Sequence, residues 1–172
     1  MMMNKFKLIV GLGNFGEKYQ NNRHNLGFLI LDSLIYPEKF EYNGKNNSYI
    51  FKKNGVIFAK PKSFMNTSGD EVLKLASFYQ IKPEEILVIH DDIDLDFGKI
   101  KFQIGSSDAG HNGVKDIIRA LGTRDFYRLR FGVGRPENNL VPVDSFVLSD
   151  FLPHEIEEIN KFDLNQYLNS HL

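Results

Sequence analysis

The chain has 172 residues, 42% of them hydrophobic and 25% charged, enough for one domain held together by burial alone, without a disulfide or metal staple. It contains no cysteine, which excludes disulfides, thiolate metal sites and a cysteine nucleophile and makes a reducing cytoplasm the expected compartment. A formal net charge of −1 excludes a protein that is basic throughout, so any nucleic-acid binding has to come from a local patch. Met1 to Lys5 has none of the marks of a signal peptide, and no segment reads as a membrane span.

Lys7 to Val10 is a short β-branched run that Gly11, Gly13 and Gly16 interrupt, the pattern of a buried strand ending in a tight turn. Gly11-x-Gly13-x-x-Gly16 also spells the dinucleotide-binding fingerprint, but that motif needs a helix starting at its third glycine. Glu17 to Asn22 lacks helical periodicity, and apolar helical spacing begins only at Leu26, continuing through Leu29, Ile30 and Leu34. The acidic residue expected after a second strand is missing too, because Asp32 falls inside this helix. The nucleotide reading is therefore set aside. Asn14 and His24 leave opposite ends of one loop over the carboxyl edge of the sheet, where function usually sits.

Lys39 to Tyr42, Ser48 to Lys53 and Val56 to Lys60 read as short strands separated by Asn43-Gly44 and Asn54-Gly55, both hairpin signals. After Pro61, Phe64-Met65-Asn66 leads into a second helix, with Ser68 and Glu71 at capping-box spacing and Val72, Leu75, Ala76 and Tyr79 as its inward stripe. Lys82 to Glu85 is a turn, and Ile86 to Ile89 suits a central strand that delivers His90-Asp91-Asp92 at its carboxyl end. Lys99 to Ile104 alternates as a strand. Gly110-His111-Asn112-Gly113 introduces a one-sided helix through Val114, Ile117, Ile118 and Leu121 that stops at Gly122. Arg128 to Val133 is a strand, Phe146 to Leu148 a short apolar element, and Pro153 to Leu168 one terminal helix. The expectation is a single α/β domain over residues 1–172, with a mixed twisted sheet flanked by helices.

Four strand-to-helix junctions offer Asn14 with His24, Asn66, Asp91 and Asn112: neutral amides around one imidazole and one carboxylate. Amides donate and accept without charge, which suits a polar substrate or a developing oxyanion. The imidazole is the one member that moves a proton near neutral pH. The run His90 to Asp96 fails as a metal site. An EF-hand loop from Asp92 would need Gly and Glu where Phe97 and Gln103 stand, and zinc would need more clustered histidine.

Between Lys99 and Arg135, eight basic residues face only Asp108, Asp116 and Asp125. Lys115 and Arg119 share a helix face with Asn112, as either a solvated face or a phosphate-contacting one.

Together these residues resemble the bacterial-type peptidyl-tRNA hydrolase family. The matching segments are Ile9 to Asn14 with Gly16 and Tyr19, Arg23-His24-Asn25 with Gly27 and Asp32, Pro61 with Phe64-Met65-Asn66 and Ser68-Gly69, His90-Asp91-Asp92 with Asp94, and Gly110 to Gly113. They fall in order and cover the chain to about Leu148. The resemblance implies a cytoplasmic, monomeric enzyme that needs no metal or other cofactor and cleaves the ester between a peptide and the terminal ribose of tRNA, freeing the tRNA for translation. It implies His24 as catalytic base, Asp91 as its orienting partner, and Asn14, Asn66 and Asn112 on peptide, water or tetrahedral intermediate. Tyr19, Phe64, Met65 and His111 would line the cleft, and Lys115 and Arg130, with Arg119 beside them, would face tRNA. Phe15 stands where a proline is usual, which is expected to loosen the turn, and Gln103 replaces a frequent basic residue. A non-catalytic RNA-binding protein on the same fold is the alternative, disfavoured by the retention of His24, Asp91 and all three asparagines.

Overall fold

A computed structural model describes residues 5–171. Among them, seven strands form one mixed sheet in the order β2-β3-β4-β1-β5-β7-β6. β1 (Leu8–Gly11) lies at its centre, parallel to β4 (Val56–Pro61) on one side and to β5 (Ile86–Asp92) on the other. β7 (Tyr127–Gly132) continues the parallel set. The edges are antiparallel, with β3 (Ser48–Lys53) and β2 (Glu41–Asn43) beyond β4, and β6 (Ile100–Ile104) beyond β7.

β1 and β5 are apolar on both faces because helices cover both. Ile9, Leu87 and Ile89 point toward α1 (Leu26–Ile35), α5 (Pro153–Lys161) and α6 (Leu164–His171). Leu8, Val10, Ile86 and Val88 point toward α2 (Ser68–Phe78) and α3 (Asn112–Leu121). A strand with no solvent face reads as a continuous hydrophobic run, as both do.

Close approach fixes α1 against the sheet. A Cβ on Gly27 would lie 2.4 Å from the Leu12 nitrogen and 2.5 Å from the Ile89 oxygen, so only glycine lets the helix settle onto β1 and β5. This places His24, one turn upstream, above the end of β5.

Several local expectations are corrected. Ser68 is the first residue of α2, not a side-chain cap; its hydroxyl donates to the carbonyls of Phe64 and Met65, and Glu71 instead accepts from Asn47 and Lys74. Asn54-Gly55 makes the expected turn with both φ angles positive. Asn43-Gly44 does not. The Asn43 carboxamide accepts from Lys45 and Asn46, and the left-handed residue is Asn47. The apolar element near Phe146 is a short helix, α4 (Val143–Val147). The terminal helix is two helices, broken at Phe162-Asp163, because Phe162 packs against Phe131 and the Asp163 carboxylate accepts from the Gln166 N–H to start a new N-terminus. No helix of the described residues is long and apolar enough to cross a membrane.

Candidate active site

The carboxyl ends of β1, β4 and β5 bring Asn14, the Phe64-Met65-Asn66 segment and Asp91 to one edge of the sheet, and the N-terminus of α3 adds His111 and Asn112. Asp91, buried at the end of β5, is the hub. Its carboxylate lies 2.9 Å and 3.0 Å from Nδ1 of His24, and one oxygen lies 2.9 Å from Nε2 of His111.

The bonds fix the tautomers. Nδ1 of His111 accepts from the backbone N–H groups of Gly113 and Val114 as the N-cap of α3, so the proton sits on Nε2 and is donated to Asp91. His24 donates from Nδ1 to the same carboxylate, which leaves its Nε2 lone pair for chemistry. Burial works against protonation of His24, but the charge and hydrogen bond of Asp91, helped by Asp144, outweigh it and hold the imidazole above its ordinary range. Burial likewise opposes ionisation of Asp91; the two imidazoles bonded to it prevail and hold it well below the usual carboxylate range. His90 is different. Burial, with His111 beside it, pushes it well below the ordinary histidine range, and its Nδ1 donates to the Asp91 carbonyl at 2.8 Å.

Asn14 is buried and held at three points. Its backbone N–H donates to Oδ1 of Asn25 at 2.8 Å, and its carbonyl accepts from Nδ2 of Asn25 at 2.9 Å. Its own Oδ1 accepts from the Met65 N–H at 2.7 Å. The amide orientation is therefore set, with Nδ2 as the free donor. Asn66 and Asn112 are exposed, and their side chains make no hydrogen bond to a described residue.

The His24 turn is clamped from the far end of the chain. Arg23 donates from Nη1 to the Ser149 hydroxyl at 2.9 Å and to the Asp150 carbonyl, pairs with Glu155 at 3.1 Å, and lies over the ring of Phe146. Asn22 donates to the Asp150 carboxylate. Between these parts lies a cleft of about 270 Å³ lined by Asn14, His24, Phe64, Met65, Asn66 and Asn112, with Asp144, Val147 and Leu148 opposite. A second cavity, about 300 Å³, adjoins it past His24 and His111.

The model of the family described as peptidyl-tRNA hydrolase matches residues 8–170. The chain belongs to the bacterial peptidyl-tRNA hydrolase family. It is 43% identical to the peptidyl-tRNA hydrolase of Corynebacterium efficiens over 154 residues, covering 88% of this chain and 86% of the relative. Against that of Neisseria meningitidis it is 48% identical over 147 residues, 81% and 77% of the two chains. The crystal structure of peptidyl-tRNA hydrolase from Acinetobacter baumannii superposes with a TM-score of 0.81 at 33% identity, over 96% of this chain and 84% of that one. The activity is accordingly peptidyl-tRNA hydrolysis, which releases tRNA from its peptide.

Within this hydrolase Asn14, His24, Asn66 and Asn112 of the predicted polar set line the first cleft, with Phe64 and Met65, whereas Asp91 and His111 line the cavity that adjoins it. Tyr19 meets Phe64 edge-on with ring centroids 6.4 Å apart and reaches the cleft only through that ring. The turn at Phe15 is not loosened. The Phe15 N–H, which a proline would lack, donates to the Ser63 carbonyl, and the ring stacks on Tyr49.

The basic set is thinner than its sequence suggests. Arg119 is bound to Asp116 and Asp70 at 2.8 Å and 2.7 Å. Arg130 is paired with Asp92 and also donates to Gln103. Lys99 and Arg135 have their own acids, and Arg128 is buried with its Nη1 on the Ser107 carbonyl. Lys101, Lys115 and Arg124 are left exposed without an ion pair among the described residues.

Reading residues alone did not assign Arg23, Asn25 or the wall from α4. The signal for Arg23 and Asn25 was present, as polar residues directly before an apolar helix. Nothing local distinguishes Asp144 or Val147.

Proposed function

We propose that His24, oriented by Asp91, is the general base of the hydrolysis and that Asn14 holds the oxyanion. The observation that carries this reading is that the bonds to Asp91 and Met65 leave Nε2 of His24 and Nδ2 of Asn14 free on the walls of the same cleft. Nε2 takes a proton from water as the water oxygen bonds to the ester carbonyl carbon. The carbonyl oxygen becomes an oxyanion facing the amide donor. Collapse of the tetrahedral intermediate breaks the bond to the ribose oxygen, which takes the proton back from the imidazolium. General-base catalysis contributes about 10²–10⁴-fold and one oxyanion donor on the order of 10²–10³-fold.

Asn66 and Asn112 contact the peptide and the ribose end, with Tyr19, Phe64, Met65 and His111 around them. Lys115 is the leading phosphate contact, ahead of Arg119 and Arg130, whose charges acids already engage. No metal enters the scheme. His24, Asp91 and His111 hold ligand-type atoms within 4.8 Å of one another, but the carboxylate already accepts from both imidazoles, and His111 cannot turn its lone pair without uncapping α3. A monomer acting in the reducing cytoplasm completes the reading.

The test is His24→Ala assayed on N-acetylated aminoacyl-tRNA. kcat falls at least about 10²-fold while KM stays nearly unchanged. Near-full turnover would remove His24 from the mechanism.

A further inference from the structure

Asp91 is held by three histidines. His24 and His111 take its carboxylate, and His90 takes its main-chain carbonyl. The reason for the third bond lies in the sheet. Along β5 the carbonyl of Ile89 accepts from the Leu12 N–H at 3.0 Å, and that of Asp92, on the opposite edge, accepts from the Val133 N–H at 2.9 Å. The carbonyl of Asp91 is therefore the next one on the β1 side, but β1 ends at Gly11 and has no N–H to offer it. A buried carbonyl without a donor is destabilising. Nδ1 of His90 supplies the donor at 2.8 Å. The same ring stands edge-on to that of His111, with centroids 4.7 Å apart, and walls the second cavity beside Asp91 and His111.

We propose that His90 is a positioning residue for the hydrolysis: by holding the Asp91 carbonyl through Nδ1 and bracing the ring of His111, it fixes the Asp91 carboxylate against Nδ1 of His24. A rotation of the Asp91 main chain would swing the carboxylate off both imidazoles at once, because all of these bonds meet on one residue. The chemistry of the ring argues for more than filling space. Its Nε2 is buried and makes no hydrogen bond to a described residue, so histidine brings an unsatisfied acceptor that a phenylalanine or leucine would not. What histidine adds in exchange is the Nδ1 donor. Burial, with His111 and Arg128 nearby, outweighs the pull of Asp91 and keeps the ring neutral, so Nε2 stays bare and the proton stays on Nδ1.

Two substitutions separate the bond from the bulk. In His90→Asn the Nδ2 donor stands where Nδ1 stood, one bond beyond Cγ, and the ring is lost; in His90→Phe a ring remains beside His111 and the donor is lost. The readouts are histidine-nitrogen NMR titration and kinetics on N-acetylated aminoacyl-tRNA. In the parent His90 carries its proton on Nδ1 and does not titrate with His24. His90→Phe lowers kcat about fivefold with KM within about twofold, and moves the His24 titration and the acid limb of kcat/KM to lower pH. His90→Asn stays within about twofold of the parent kcat with the His24 titration unmoved, although loss of the ring lowers its melting temperature. A proton on Nε2 of His90 in the parent overturns the proposal without any variant. So does a His90→Phe enzyme with the parent's kcat and His24 titration, or a His90→Asn enzyme that loses as much as His90→Phe, which would leave the ring as packing alone. The kinetic half rests on His24 as the base, whereas the titration is read without turnover: retained activity in His24→Ala refutes that assignment, and the titration still decides the role of His90.

Discussion

Asn14 and Asn112 stand on the same cleft, yet one is buried with its backbone and carboxamide oxygen bonded, while the other is exposed with an unbonded side chain. A donor aimed before substrate arrives needs no reorganisation when charge develops on the carbonyl oxygen, whereas a free amide has to be ordered by what it binds. The cleft thus has a rigid wall, running from Asn14 through His24 to Asp91, and an adaptable one at Asn66 and Asn112. Rigidity on one side suits a single ester chemistry, and adaptability on the other suits peptides of any sequence.

The sharpest way to break this comparison is Asn14→Asp, which keeps the oxygen that accepts from Met65 but removes the free donor. It lowers kcat by about 10²-fold or more, while Asn112→Ala changes mainly KM. Equal kcat losses in the two variants would erase the distinction between the walls. The supporting bonds give the next effect. Asn25→Ala leaves the buried N–H and carbonyl of Asn14 unpaired and costs about 2 kcal/mol of stability, seen as a lower urea midpoint. Asn66→Ala stays within about 0.5 kcal/mol.

Asp91→Asn sharpens the comparison through pH. The proposed base has to be neutral to act, and Asp91 raises His24 above its ordinary value of 6.5, so the acid limb of kcat/KM is expected above that pH in the parent. With the carboxylate gone, burial outweighs the smaller pull of Asp144 and lowers the pKa, so the limb moves below it, with kcat reduced about tenfold. Superimposed profiles would make Asp91 purely structural. The smallest effect is on the outer surface. Lys115→Glu raises KM for full tRNA about threefold and reduces its salt dependence, whereas Arg119→Glu chiefly lowers the melting temperature, because it sets a third carboxylate against Asp70 and Asp116.

Most of the strands and helices were legible because burial on both faces writes β1 and β5 as unbroken apolar runs and writes α3 as a one-sided stripe. The polar set was legible because strand ends in an open α/β sheet converge on one edge. What could not be read were interactions between distant residues: Arg23 on Ser149 and Glu155, Asp116 reaching Gly69, and the ion pairs that engage Lys99, Arg119, Arg130 and Arg135 in the basic run. Composition lists charges, but only packing says which are already neutralised. The break at Phe162 was hidden for the same reason, since the helical period continues through it while Phe131 draws the ring inward.

The clamp on Arg23 has a consequence in the order of synthesis. The residues that hold the His24 turn come more than 120 positions later, at Ser149, Asp150 and Glu155. A growing copy of this chain is itself a peptide esterified to tRNA, the very bond its finished form cuts. Until those residues have been made, the turn that carries His24 can have the bonds of Asn25 to Asn14 and of His24 to Asp91, but not the clamp on Arg23.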